Sequence, residues 1–322
     1  MKRIANTPSE LIAVLGSSGF IGSAVLRTLA ARRSRLRAVS RSRPAALPPG
    51  SAIEQRQIDL LVPGQARAAI EDADVIVHLV AHAASGSTWR SATADPEAER
   101  VNVGLMRDLV AAIHDRRVST TPVLIYASTA QAAEPAAASR YAQQKLEAER
   151  ILREASNAGL VRGLTLRLPT VYGQRDRSDP VGRGVVAAAI RQAISGQQLT
   201  MWHDGSVRRN LLHVEDVASA FAAALEHRDA LAGETWTLGA DRSESIGRIF
   251  AGIAESVARQ GGMPPVPVVT VPAPEHAQPN DFRSDDIDST AFRTHTQWRP
   301  QVPLWEGIER TVAASIPAKD RQ

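Results

Sequence analysis

The chain predicts an α/β protein, a doubly wound parallel sheet carrying a smaller C-terminal α/β lobe. Two observations predict it. One is an apolar run, Leu11 to Leu15, that stops at Gly16-Ser17-Ser18-Gly19-Phe20-Ile21-Gly22 and continues as an amphipathic helix through Leu26, Leu29 and Ala30. The other is the repetition of short apolar runs, at Leu36 to Ser40, Val75 to Val80, Val123 to Ala127 and Leu164 to Leu168, with helical stretches between them. Runs of that kind suit strands buried on both faces of a parallel sheet. Residues 1–173, with 205–228 returning, are expected to form the nucleotide-binding domain, and 174–322 the lobe.

At 322 residues the chain can bury one large core or two modest ones. Its 43 % hydrophobic and 22 % charged content matches a soluble globular protein. No apolar run approaches the roughly 18 residues of a membrane span, and the N-terminal residues lack the pattern of a secretory signal. Cysteine is absent, which excludes disulfides and thiolate metal sites and leads to a cytoplasmic expectation. A net charge of +4 is slight for this length and argues little for nucleic acid.

Each element then carries its own reading. The glycine turn permits close backbone approach, and the following helix start offers free N–H groups to a pyrophosphate. Its spacing is GxxGxxG; a plain glycine turn is the alternative reading. Gly16, Ser18, Gly19, Phe20, Ile21 and Gly22 are the expected cofactor contacts. After the second strand, where an acid would hold a ribose 2′-hydroxyl, stand Arg41 and Arg43. Guanidinium groups suit a 2′-phosphate, so the expected cofactor is NADP(H), with Arg41 preferred; the alternative is that both arginines are merely solvated.

The third strand is expected to end near Ile58, Asp59 and Leu60, at the adenine pocket. The fourth exits through Val80, Ala81 and His82. His78 and His82 lack carboxylates at ligand spacing, so no metal is expected. Asn102 is expected to be a buried hydrogen-bonding residue. The fifth strand delivers Ser128 and Thr129 at its C-terminal end, where ligands sit in open parallel sheets.

The next segment stands out by composition. The chain has three lysines, Lys2, Lys145 and Lys319, and three tyrosines. Tyr141 lies four residues before Lys145 in a helix-forming stretch, YAQQKLEAERILREA, so both side chains share a face. A phenol ordinarily titrates at about 10; a cation beside it is expected to lower that value and make it a usable proton donor. A chance YxxxK on a solvated face is the alternative.

The GxxGxxG turn, the Ser/Thr after the fifth strand and YxxxK on the next helix together resemble the short-chain dehydrogenase/reductases. RLPTVYG (167–173) and GSVRRNLLHVEDVA (205–218) resemble the extended branch, and the likeness covers nearly the whole chain. Segments such as HLVAHAASGSTWR and LTMWHDGSVRRNLLHVEDVA are most similar to the 4-ketoreductases of deoxysugar pathways. The resemblance implies a Rossmann domain, NADPH-dependent reduction at C4 of a dTDP-4-keto-6-deoxyhexose, a nucleotide-sugar substrate and a homodimer. It also implies Thr129 as the hydroxyl that orients the carbonyl, with Ser128 its substitute and a substrate contact. Tyr141 would be the general acid, and Lys145 its partner and a ribose contact. Leu168 would lie at the cofactor and Thr170 at the substrate. Arg209, or Arg208 if the register slips, and Arg283 would bind the substrate diphosphate.

The 4,6-dehydratases of the family follow their threonine with Asp-Glu; here Ala130 and Gln131 stand there, which argues against dehydration. A nucleotide-sugar 4-epimerase is the nearest alternative activity, and a non-catalytic NADP-binding regulator the alternative of another class. The chain departs from the family in a shortened loop, Ala132 to Ala138, between Thr129 and Tyr141.

In the second half, Pro169 ends the sixth strand, residues 175–183 read as a loop, and Val185 to Ile194 as a helix. Asp216 is read as a structural carboxylate near a helix start. Trp202 and His203 are expected beside the substrate pocket, or simply packing the lobe. Met263 to Pro279 is Pro-rich and irregular apart from a strand at Val266 to Val271. Helices from Asp288 and Leu304 close the lobe, with a frayed tail from Pro317.

Overall fold

The computed structural model describes residues 10–32, 34–42, 53–82, 96–116, 120–133, 139–174, 184–275, 277, 279–285 and 287–316. In the first half β1 (Leu11–Leu15), α1 (Phe20–Ala30), β2 (Arg35–Ser40), β3 (Ile53–Gln57), α2 (Gln65–Ile70) and β4 (Val75–His78) lead to α3 (Pro96–Glu99) and α4 (Leu105–His114). Then come β5 (Val123–Thr129), α5 (Arg140–Asn157), β6 (Arg162–Leu168) and β7 (Thr170–Tyr172). The second half runs α6 (Val185–Ile194), β8 (Leu199–Met201), β9 (Arg208–Arg209), β10 (Leu211–His213), α7 (Val214–Glu226), α8 (Arg228–Leu231) and β11 (Thr235–Thr237). It closes with β12 (Glu244–Ser245), α9 (Ile246–Gly261), β13 (Val268–Thr270), α10 (Thr290–Thr296) and α11 (Leu304–Ser315).

Seven strands form one parallel sheet in the order β11-β6-β5-β4-β1-β2-β3. The winding direction reverses between β1 and β4, which opens a crevice at their C-terminal ends. Leu11 to Leu15 is buried throughout because helices cover both faces. On one face α1 packs against α7, burying Leu26, Leu29, Val217 and Phe221. On the other, Met106, Leu109, Ala148 and Leu152 from α4 and α5 meet Leu124 and Tyr126. Each large apolar side chain so buried contributes about 1.5–3 kcal/mol.

Two strand ends differ from expectation. The third strand stops at Gln57, because the Asp59 carboxylate and carbonyl accept from the Leu61 and Val62 N–H groups and turn the chain. The fourth stops at His78, whose Nδ1 accepts from Val80 N–H. The seventh strand of the sheet, β11, comes from the range 174–322 expected to form the lobe.

A third core, built on Ile190, Leu199, Ile249, Phe250, Ile253, Ile308 and Val312, belongs to the lobe. Small two-stranded pieces complete the structure: β7 with β10, β9 with β12, and β8 with β13. Asp216 is structural as read, accepting from the Gln301 and Val302 N–H groups at 2.7 and 3.1 Å ahead of α11.

Candidate active site

The glycine turn is tight for a physical reason. Gly16 has φ +84°, a conformation that disfavours any side chain. A Cβ on Gly22 would stand 2.0 Å from the Gly16 carbonyl oxygen, and one on Gly16 would press on Leu79 and Val80 at 3.2 Å. The turn is pinned to β2 by Gly16 and Ser17 N–H bonds to the Val39 carbonyl. The starts of α5, α7 and α9 are capped by the side chains of Ser139, His213 and Ser245; α1, which begins after Gly19, has no side-chain cap. Phe20 and Ile21 are half-buried in its first turn. This tight glycine cradle, ahead of an uncapped helix start at the winding reversal, fits a dinucleotide pyrophosphate.

Beside the cradle lies a run of hydroxyls. Ser17 Oγ donates to the Val39 carbonyl, Ser40 Oγ to the Ser42 carbonyl, and Ser42 Oγ to Ser18 Oγ at 3.2 Å. Arg41 is exposed there, its carbonyl held by Gln57 at 2.9 Å. Among the described residues after β2, through Ser42, no acid occurs; Arg43 lies outside them. Asp59 is exposed and Leu60 buried after β3. Val80 and His82 are half-buried and Ala81 exposed at the exit from β4.

Asn102 sits in a π-helical turn, Arg100–Gly104, which rotates it inward ahead of α4. Its side chain accepts from His82 N–H at 2.9 Å and donates to Gln144 at 2.9 Å, so it joins the β4 exit to α5. That is the hydrogen-bonding role expected of it.

Helix α5, which carries Tyr141 and Lys145, packs on the strand that ends in Thr129. Ser139 caps α5 through the Ala142 N–H, setting Tyr141 in the first turn and Lys145 one turn on. Lys145 is 2 % exposed and donates to the Ala127 carbonyl at 2.9 Å, two residues before the half-buried Thr129. Its Nζ lies 4.7 Å from the Tyr126 ring centroid and 5.7 Å from that of Tyr141. Burial pulls the Lys145 ammonium down to about 7 despite the nearby Glu149 carboxylate. His78, fully buried behind it, is driven by burial to about 3 and stays neutral.

Two expectations are corrected here. Tyr141 is not made more acidic in this chain by itself: burial pushes its phenol up to about 12. The cation meant to acidify it is itself half discharged at neutral pH, and desolvation dominates. The phenol therefore rests fully protonated, ready to donate. Ser128 does not face a substrate either; its hydroxyl is buried and donates to Glu149 at 2.5 Å. That leaves Thr129 as the hydroxyl at the strand end.

Strand register carries the arrangement onward. Thr129 pairs with Leu168 across β5 and β6, and Thr170 on β7 pairs with Leu211 on β10, two residues after Arg209. The Arg209 guanidinium donates to the Arg283 carbonyl at 2.5 Å and to the Asp281 carbonyl at 3.0 Å, with Asp285 at 3.8 Å. Arg208 instead turns to the Ser243 carbonyl. Arg209 and the exposed Arg283 are thus brought together, the first holding the segment that carries the second. His203 lies 6.5 Å from the ring of Phe282 beside them, and Trp202 is half-buried. Asn210 is buried and exchanges two hydrogen bonds with Ala240 in place of any ion pair. The loop 175–183 and residues 134–138 of the shortened loop lie outside the described residues, as do Ala83, Ala84 and the tail from Pro317.

Sequence reading missed Glu149. Its carboxylate is 3 % exposed, takes two hydrogen bonds from Arg167 at 2.6 and 3.0 Å, and accepts from Ser128. The available signal was positional: Glu149 falls on the same stripe of α5 as Lys145, Ala148, Leu152 and Ala155, all buried. A carboxylate on an apolar stripe needs a partner.

A glycine cradle at a winding reversal, with a half-buried tyrosine and a buried lysine after the fifth strand, defines a dinucleotide-binding α/β enzyme. The sequence pattern of the NAD-dependent epimerase/dehydratase family matches residues 12–239, and the chain belongs to that family. A dTDP-L-rhamnose 4-epimerase from Burkholderia thailandensis is 26 % identical, with 92 % of each chain covered. A dTDP-6-deoxy-L-talose 4-dehydrogenase (NAD(P)+) from Kitasatospora kifunensis is also 26 % identical, covering 97 % of this chain and 98 % of the relative. Among solved structures, an epimerase from Methanothermobacter thermautotrophicus superposes with a TM-score of 0.79 at 22 % identity, covering 95 % and 92 % of the two chains, and so shares the fold.

Proposed function

We propose that this protein is an NADPH-dependent ketoreductase acting at C4 of a dTDP-4-keto-6-deoxyhexose. The observation that carries the reading is Lys145, bound to the Ala127 carbonyl on the strand that ends in Thr129, with its ammonium 5.7 Å from the Tyr141 ring. The two curated relatives named above, both full-length matches, act on dTDP-deoxysugars by name.

When bound, the dinucleotide supplies the hydride. Gly16, Gly19, Gly22 and the start of α1 would hold its pyrophosphate, and Lys145 its nicotinamide ribose. Arg41 with the Ser18 and Ser42 hydroxyls would take the 2′-phosphate. Reduction of a ketone leaves charge on its oxygen, and the chain's own groups meet that charge. Thr129 holds the oxygen by a hydrogen bond, and Tyr141 gives up its phenolic proton to it. Lys145, compact and cationic, stabilises the phenolate left behind. Arg209 and Arg283 would sit at the sugar diphosphate.

The same residues serve a 4-epimerase, and the relative from Burkholderia carries that name. Incubation with NADPH and the dTDP-4-keto sugar separates the two. The reductase consumes one NADPH per sugar reduced, read by loss of nicotinamide absorbance, and prefers NADPH to NADH. Inversion at C4 of a hydroxylated sugar without net cofactor consumption overturns the reductase reading. Arg41→Ala tests the cofactor separately: NADPH affinity is expected to fall by about tenfold, with NADH unaffected.

A further inference from the structure

Behind the reactive tyrosine, Glu149 is bonded to Arg167 and Ser128 and lies one helical turn from Lys145, close enough for its charge to act across the gap. Tyr141, Lys145 and Glu149 follow one another at single-turn intervals along α5. Glu149 is clamped from the sheet, by Arg167 on β6 and by Ser128 on β5, residues that are themselves register partners. Burying a carboxylate this deeply is costly unless it is paired, and here it is fully engaged.

The groups facing Lys145 are few. Tyr141 and Glu149 come from its own helix, Tyr126 and the Ala127 carbonyl from β5, and His78 from β4. Asn102 and Gln144, which lie beside it on the π-helical turn and α5, are neutral. Tyr126 is held far above its ordinary range by burial, and His78 stays neutral, so neither brings negative charge. Among the described groups around the ammonium, the one anion is Glu149.

We propose that Glu149, locked by Arg167 and Ser128, is a positioning residue that favours the ammonium form of Lys145 beside Tyr141. The role deepens the reductase reading and rests on it for its catalytic meaning. Burial alone would discharge the lysine, and the carboxylate one turn away opposes that. Arg167 clamps the carboxylate with two hydrogen bonds, and Ser128 ties the arrangement to the strand that ends in Thr129.

Lysine scarcity makes the test direct. With three lysines in the chain, two of them near the ends, carbon-13 labelling at lysine Cε gives three resonances, and Lys2 and Lys319 serve as references. In the free wild-type protein Lys145 is expected to titrate at about 7. In Glu149→Gln its midpoint is expected to fall by about one pH unit or more, with both reference lysines unmoved. If the buried Arg167 without its counter-charge prevents folding, Glu149→Gln/Arg167→Met removes both charges while the amide still accepts from Ser128. Replacing a buried pair by apolar volume is commonly tolerated, and a smaller downward shift is expected because the opposing guanidinium charge is lost as well. A Lys145 midpoint that coincides with wild type in the folded variant overturns the proposal. NADPH-dependent turnover, measured in parallel, should show its basic limb moving down with the lysine. A shifted lysine in a protein that reduces no keto sugar would keep the role of Glu149 and sink the reductase.

Discussion

The end of β5 and the Arg209 cluster are both polar sites, yet they are built differently. At β5 three polar side chains are answered from a neighbouring element: Lys145 by the Ala127 carbonyl, Glu149 by Arg167, Asn102 by Gln144. In the lobe, Arg209 comes from a two-residue strand and grips the carbonyls of residues 281 and 283, in and just after a single 3₁₀ turn. A site fixed by sheet register can hold reacting atoms to the tolerance that proton transfer needs. One fixed by an arginine on an irregular segment suits recognition, where small adjustments cost little.

The largest expected effect breaks that comparison most cleanly. Tyr141→Phe keeps the ring and removes the donor, so kcat should fall by about 10²–10⁴-fold with cofactor affinity retained. Stopped-flow reduction and equilibrium NADPH binding check the two halves; a large loss of binding with unchanged kcat would reverse the assignment. Arg209→Ala should do the opposite, raising KM for the nucleotide sugar by tenfold or more, about 1.5–3 kcal/mol, while kcat moves little. Steady-state kinetics with the sugar varied decides it, and a kcat loss as large as that of Tyr141→Phe would place Arg209 among the reacting groups.

The smallest effect concerns pH and stability. An unfolded lysine titrates near 10.5 and the buried Lys145 at about 7, so between those values the unfolded chain carries the extra proton. The penalty is fully present below about pH 7 and is relieved as pH rises, by at most about 1.4 kcal/mol per pH unit. Tyr141 opposes this only above about pH 10, where the unfolded phenol ionises before the buried one. Thermal melts should therefore show Tm climbing from pH 7 to about pH 9, and Lys145→Met should flatten the slope. His78 acts in the same direction on the acid side, its contribution being lost as pH falls from 6.5 toward about 3.

Much of the first region was legible because it depends on local pattern. Leu11–Leu15 and Val185–Ile194 stand where periodicity put them, and the pairing of Tyr141 with Lys145 followed from helical spacing alone. What was not legible required knowing neighbours across the sheet. Nothing local tells Ser128 from Thr129; the difference is that α5 lays Glu149 over one of them. The acidity of Tyr141 was read from a cation four residues away, but burial of both groups, a tertiary property, decides its direction. Thr235–Thr237 is three residues long and gives little signal by itself; its place beside β6 depends on Gly233 N–H meeting the Gly163 carbonyl as the strand begins.

That late strand bears on how the protein is made. Because β11 covers the flank of β6, the ribosome must release much of the lobe before the sheet can be finished. Until then a nascent chain displays an unpaired backbone edge next to the strand that carries Arg167, a surface prone to pairing with its own kind. Chain terminations inside the lobe should accordingly yield aggregates rather than a smaller working nucleotide-binding unit.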